Sequence, residues 1–200
     1  DLVHQVLEAY HREGWRPERA KELLEAQAKS LGLEGMKWAE CLAAAEKMFQ
    51  KYLQGPLVKL QPDPADLERD FSIYLEGEGV TVELVGKIDR IDRDREGRWL
   101  LVDYKTNRTI TPAQWEEYCR QLHLYALAFR EIYPERGLPR LYIYHLPAGK
   151  LLPVECQPHH LETVKKTVLE TAAAIQAGLF PARPGLHCRW CGYPKYCGEE

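Results

Sequence analysis

Two apolar, β-branched runs joined by a short turn signal constrain this chain more than any other feature. The runs cover residues 80–94 and 99–104, and the turn signal is Asp94-Arg95-Glu96-Gly97-Arg98. The pattern predicts an antiparallel hairpin with its turn centred near Glu96. That register sets Asp89 opposite Asp103 and Ile91 opposite Leu101. Side chains alternate along a strand, so Leu101, Asp103 and Lys105 share one face, and Asp89 and Ile91 point to it too. Two carboxylates directly across a ladder repel. A half-buried pair therefore needs a cation, and magnesium or manganese suits oxygen donors. Lys105 reaches the same pocket, where its ammonium can hold or polarise an attacking water and neutralise charge on phosphorus oxygens. The bland alternative is an Asp103–Lys105 salt bridge on an exposed strand. Asp89 opposite, with Gly86 opening the strand to close approach, favours the site.

Upstream, residues 68–76 alternate and are predicted to pair with the hairpin. Glu68 either contacts a metal through water or solvates an edge. Leu2, Val3, Val6, Leu7 and Tyr10 recur at helical spacing over residues 1–13, with His4 beside the apolar stripe. Such a histidine packs or ligates, and ligation requires its neutral form. After the hairpin, Thr111 and Pro112 open a helix predicted over residues 112–133. Trp115, Leu122, Ala126 and Phe129 form its core face. Gln114, Tyr118, Gln121 and Tyr125 line the neighbouring face, a stripe able to hold phosphates or stack a base. Tyr118 reads as a boundary residue between core and water.

With 200 residues, 45% of them hydrophobic, the chain has enough core for one globular domain. Helices are predicted over residues 17–31 and 36–53. Residues 14–53 read as a helical insertion that either lines a substrate tunnel or simply packs. Residues 54–66 form a connector, and strands at 141–145 and 152–154 with a helix at 161–177 complete an α/β sandwich. Neither a signal peptide nor a membrane-length apolar run is visible, so no membrane partner and a cytoplasmic location are expected. The six cysteines show no secreted disulfide framework. Cys188, Cys191 and Cys197 lie in a Pro- and Gly-rich tail, residues 179–200, that cannot bury much core alone. An iron–sulfur or zinc staple on these thiols is physically sensible. Cys41, Cys119 and Cys156 read as small packed residues.

Three blocks then fall into one order: Asp1-Leu2-Val3-His4-Gln5-Val6-Leu7-Glu8, Gly86-Lys87-Ile88-Asp89-Arg90-Ile91-Asp92, and Val102-Asp103-Tyr104-Lys105-Thr106. Together with Gln121-Leu122-His123-Leu124-Tyr125 and the cysteine tail, they closely resemble the RecB-like branch of the PD-(D/E)XK nuclease superfamily. The tail is similar to those of AddB-type repair nucleases and CRISPR spacer-acquisition nucleases. The resemblance implies a restriction-endonuclease-like α/β fold, a central mixed sheet flanked by helices. It implies that His4, Asp89, Asp103 and the Tyr104 carbonyl hold magnesium or manganese, and that Lys105 serves the water and the transition state. It assigns Gln121 and Tyr125 a site role. It favours a four-iron four-sulfur (4Fe-4S) cluster on Cys188, Cys191 and Cys197, with zinc as the alternative. The fourth ligand is not identified, and since the first helix is already under way at Asp1, a fragment of a longer protein is expected.

The implied activity is metal-dependent DNA cleavage, an exonuclease on single-stranded or frayed ends, in repair, recombination or CRISPR spacer acquisition. A helicase or a repair or CRISPR complex subunit is a possible partner. The alternatives are an inactive DNA-binding scaffold and an RNA-directed nuclease. A net charge of −3, from 27 basic and 30 acidic residues, excludes a chain that binds DNA by bulk charge. Binding must be local. Arg90, Arg93, Arg95 and Arg98 crowd the hairpin, some of them as solvated charges, and Arg108 is the expected phosphate contact.

Overall fold

The computed structural model describes residues 2–14, 20–30, 36–60, 62–63 and 66–192. Helices α1 (Leu2–Glu13), α2 (Ala20–Ser30) and α3 (Met36–Leu53) precede strands β1 (Leu67–Gly77), β2 (Val80–Arg93) and β3 (Trp99–Lys105). Helix α4 (Pro112–Ile132), strands β4 (Arg140–His145) and β5 (Lys150–Val154), and helix α5 (Pro158–Gln176) follow. The strands form one mixed sheet in the order β1-β2-β3-β4-β5. All neighbours are antiparallel except β3 and β4, and α4 makes the crossover that parallel neighbours require.

The hairpin register is as the sequence predicts, with Ile91 opposite Leu101 and Arg90 opposite Val102. The turn closes through Gly97 N–H to the Asp94 carbonyl at 3.0 Å, with Gly97 at φ +78°, a conformation glycine adopts freely. Helix α4 starts where its cap predicts. The Thr111 hydroxyl accepts from Gln114 N–H, and the Gln114 side chain returns to the Thr111 amide.

The sheet is covered on both faces. Ile91, Leu101 and Ile143 pack with Leu122, Ala126 and Phe129 of α4 and Leu161 and Val164 of α5. Val102, Tyr104 and Tyr144 pack with Val6 and Leu7 of α1, Leu23 and Leu24 of α2, and Phe49 and Tyr52 of α3. Accordingly β2 alternates as far as Lys87 and is buried throughout residues 88–92. The site lies where that change occurs.

Three expectations need correction. Gly86 does not open the strand to a ligand. A Cβ there would lie 2.6 Å from Phe71 Cζ, so glycine makes room for the Phe71 ring. Arg90 is not a surface phosphate contact but 0% exposed, while Arg93, Arg95 and Arg98 are exposed. Cys41 is exposed on α3, whereas Cys119 and Cys156 do pack against the core. Cys188 sits in a 3-10 turn (Leu186–Trp190) and Cys191 caps it; Cys197 lies outside the described residues. No described helix is long and apolar enough to cross a membrane.

Candidate active site

Four elements meet at one cluster. His4 comes from α1, Glu68 from the start of β1, Asp89 from β2 and Asp103 from β3. Ligand atoms of His4, Glu68 and Asp89 all lie within 4.8 Å of one another. His4 Nδ1 is 3.8 Å from Asp89 Oδ2 and 3.9 Å from Glu68 Oε1. Glu68 holds φ +46°, an unusual backbone for a non-glycine residue, at the point where its carboxylate joins the cluster. Asp89 Oδ2 accepts from the Tyr104 amide at 2.7 Å, so β3 fixes the carboxylate of β2. The Tyr104 ring stands edge-on to His4, with centroids 5.8 Å apart.

Lys105 completes the site from β3. Its Nζ lies 2.7 Å from Asp103 Oδ2 and donates to Gln121 Oε1 at 2.8 Å. It also sits 4.2 Å from the centre of the Tyr118 ring, a cation–π contact. Gln121 Nε2 donates to the Tyr125 hydroxyl at 2.7 Å. Tyr118 in turn donates to Asn107 Oδ1 at 2.8 Å. The lysine is thus held by a carboxylate, an amide and an aromatic face, which fixes where its charge stands.

Burial raises the Asp89 carboxyl to about 7, and Asp103 adds to the rise while the Tyr104 N–H opposes it. Burial also raises Asp103, against the pull of Lys105. Glu68 is raised by burial and by Asp89. Burial lowers His4, which keeps its imidazole neutral and its lone pair free at neutral pH. A neutral imidazole among carboxyls that resist ionising together is the donor set a hard divalent cation would relieve.

His4, Asp89, Asp103, Tyr104, Lys105, Gln121 and Tyr125 are therefore gathered in one place. Arg108 is exposed on the loop after β3, and Cys188 and Cys191 belong to the C-terminal turn. Glu68 joins His4 and Asp89 in one group. Tyr118 is a buried neighbour of the lysine rather than a boundary residue. Its place one helical turn before Gln121 was the available signal. Asn107 carried none.

The family model of the PD-(D/E)XK nuclease superfamily matches residues 1–198. The chain belongs to that superfamily. PD-(D/E)XK nucleases hydrolyse phosphodiester bonds with divalent metal ions, and the carboxylate–lysine geometry of this member fits that chemistry. Two solved structures share its fold. One is SSO0001, at 14% identity and a TM-score of 0.50, covering 98% of this chain and 82% of the other. The second is a candidate exonuclease from Eubacterium rectale, at 12% identity and a TM-score of 0.52, covering 96% of this chain and 79% of the other. No curated protein matches by sequence. In this nuclease, among the described residues, His4, Glu68 and Asp89 bring ligand atoms together, and the Asp103–Lys105 pair stands beside them.

Proposed function

We propose that this nuclease is a magnesium- or manganese-dependent deoxyribonuclease of the RecB-like branch, acting as an exonuclease on single-stranded or frayed DNA ends. The observation that carries the reading is Lys105, clamped between Asp103 and Gln121 beside the His4, Glu68 and Asp89 group. His4, Asp89, Asp103 and the Tyr104 carbonyl hold the metal, with Glu68 beside them. When bound, a divalent ion makes water acidic enough to attack at neutral pH and stabilises the leaving oxygen. Lys105 orients the attacking water and neutralises charge that builds on the phosphoryl oxygens. Asp103 pairs with Lys105, and Gln121 fixes its direction. Gln121, Tyr125 and Arg108 contact the DNA strand.

Cys188, Cys191 and Cys197 supply thiolates to a four-iron four-sulfur cluster, or to zinc, with the fourth ligand unassigned. The Cys188 Sγ accepts from Gly185 N–H at 3.3 Å. Metal analysis of anaerobically purified protein distinguishes iron from zinc, and a protein containing neither removes this part of the reading. The setting is cytoplasmic DNA repair, recombination or CRISPR spacer acquisition, with a helicase or another complex subunit as partner.

End-labelled single-stranded DNA incubated with manganese, magnesium or EDTA tests the function, with Asp103→Ala in parallel. The expected result is metal-dependent degradation lost in the variant, with a product ladder that gives polarity. Equal cleavage of matched RNA would overturn the DNA assignment. Wild-type protein that binds DNA but cleaves nothing with either metal would make it an inactive scaffold.

A further inference from the structure

Arg90 follows the candidate ligand Asp89 directly, yet its side chain points to the other face of the sheet, among the helices that cover it. It is fully buried, and its guanidinium is surrounded by acceptors from its own strand and four other elements. Nε donates to Asp92 Oδ2 at 2.9 Å, and Nη2 reaches the same oxygen. Nη2 also donates to the carbonyls of Leu57 and Leu60 at 2.9 and 3.2 Å. Nη1 donates to the Tyr52 hydroxyl, to His11 Nε2 at 3.1 Å and to the Tyr104 hydroxyl at 3.5 Å. Burial and Arg90 itself hold His11 down at about 3, so its ring is neutral and its Nε2 can accept.

A buried ion pair adds little to stability compared with apolar packing of the same volume. Its physical advantage is direction, because a guanidinium carries five donors in a fixed plane. Two paths lead from that plane to His4. One runs through Tyr104, whose hydroxyl meets Arg90, whose ring edge meets His4 and whose amide holds Asp89. The other runs along α1, because His11 lies about two helical turns beyond His4. Arg12 secures the same end of α1 by donating to the Leu67 carbonyl at 2.9 Å.

We infer that Arg90 is a positioning residue that sets the separation of His4 and Asp89, through Tyr104 on one side and through α1 and His11 on the other. The inference rests on the metal-binding role proposed for those two residues. It makes the helical layer part of the metal site, since α1, α3 and the 3-10 turn (Pro56–Lys59) all touch Arg90 or supply its acceptors.

The test is calorimetric titration of the full chain with Mn2+ alone, comparing wild type with Arg90→Lys, His11→Gln and Tyr52→Phe. The His4 imidazole resonance of each metal-free protein is recorded beside it. Loss of a group bonded directly to a ligand weakens metal affinity by about tenfold to a hundredfold, which is the upper bound for residues acting through Tyr104 and α1. Folded variants are expected to show that loss, to shift the His4 resonance without metal, and to recover cleavage at raised Mn2+ with an unchanged KM for DNA. Folded variants that bind Mn2+ as wild type does, with His4 unmoved, overturn the inference and leave Arg90 a structural residue. If Arg90→Lys does not fold, the two milder variants decide. Wild type that binds no Mn2+ removes the proposed function and this inference together. Wild type that binds Mn2+ without cleaving DNA removes only the nuclease role, and the affinities still decide for Arg90.

Discussion

At the residue scale the site is a set of charges held against their preference. Asp89 ionises at an ordinary value of 3.8 in an unfolded chain and at about 7 in the metal-free fold. Between those values the folded protein keeps a proton that the unfolded chain has lost, so stability falls as pH rises through that window. Asp89→Asn removes the charge yet keeps an oxygen for the Tyr104 amide. In EDTA at pH 8 the variant should be more stable than wild type by about 2–4 kcal/mol, while losing cleavage. The advantage should shrink as the pH falls from 7 towards 4, and denaturant titrations across that range check it. Equal stabilities at pH 8 would show that Asp89 is not strained. Tyr118 makes a second prediction. Tyr118→Phe keeps the ring beneath Lys105 and loses only the Asn107 bond, so kcat should change little. Tyr118→Leu removes the ring and should lower kcat about tenfold at constant KM, as a partly buried cation–π contact implies. Equal losses in both variants would point to the hydroxyl instead. Arg90 was not legible in sequence at this scale, and Tyr118 was legible only as a member of the Gln121 stripe. An arginine in a strand ordinarily keeps its charge in water, and the acceptors that bury Arg90 come from Tyr52, Leu57 and Leu60, 38, 33 and 30 positions away in the chain but adjacent in space.

At the element scale local chemistry decided most of the outcome. The Asp94–Gly97 turn fixed the hairpin register, and Thr111 with Gln114 fixed the start of α4. Both signals are contained in a few consecutive residues, which is why both could be read before the fold was known. Gly86 shows the limit of that reading. Its conformation is not what demands glycine; the neighbouring strand is. The Phe71 ring occupies the space a Cβ would need and packs edge-on against Tyr125 at 6.0 Å. Gly86→Ala should therefore destabilise the protein by about 1–3 kcal/mol through overpacking. Phe71→Leu in the same chain, by freeing that space, should recover part of the loss. Thermal unfolding of wild type and the two variants checks this, and a double variant less stable than Gly86→Ala alone would contradict the steric account.

At the scale of the whole molecule the site is a junction between two layers. Asp89, Asp103 and Lys105 ride on the sheet, while His4 arrives on a helix more than eighty positions earlier in the chain. Strand alternation placed the sheet residues together, but no spacing rule could bring α1 to them. Only the resemblance of the motif blocks did. The consequence is mechanical. Without a cation the junction gathers carboxyls that repel and a neutral histidine; a cation held as proposed would take these groups as ligands and tie α1 to β2 and β3. A metal that binds only the folded chain stabilises it by mass action, by about 2.7 kcal/mol at a hundred times its Kd. Mn2+ at pH 8 should therefore raise the melting temperature of wild type, and EDTA should reverse the rise. His4→Ala, which keeps the carboxylates but cuts the tie to α1, should show a much smaller response. At pH 5 protons compete for Asp89 and Glu68, both raised by burial, and the Mn2+ response should shrink in wild type as well. Melting curves with Mn2+ and with EDTA at the two pH values measure all of this. An undiminished response in His4→Ala would mean that the carboxylates hold the ion without α1, and that the helical layer is a cover for the site and not a part of it.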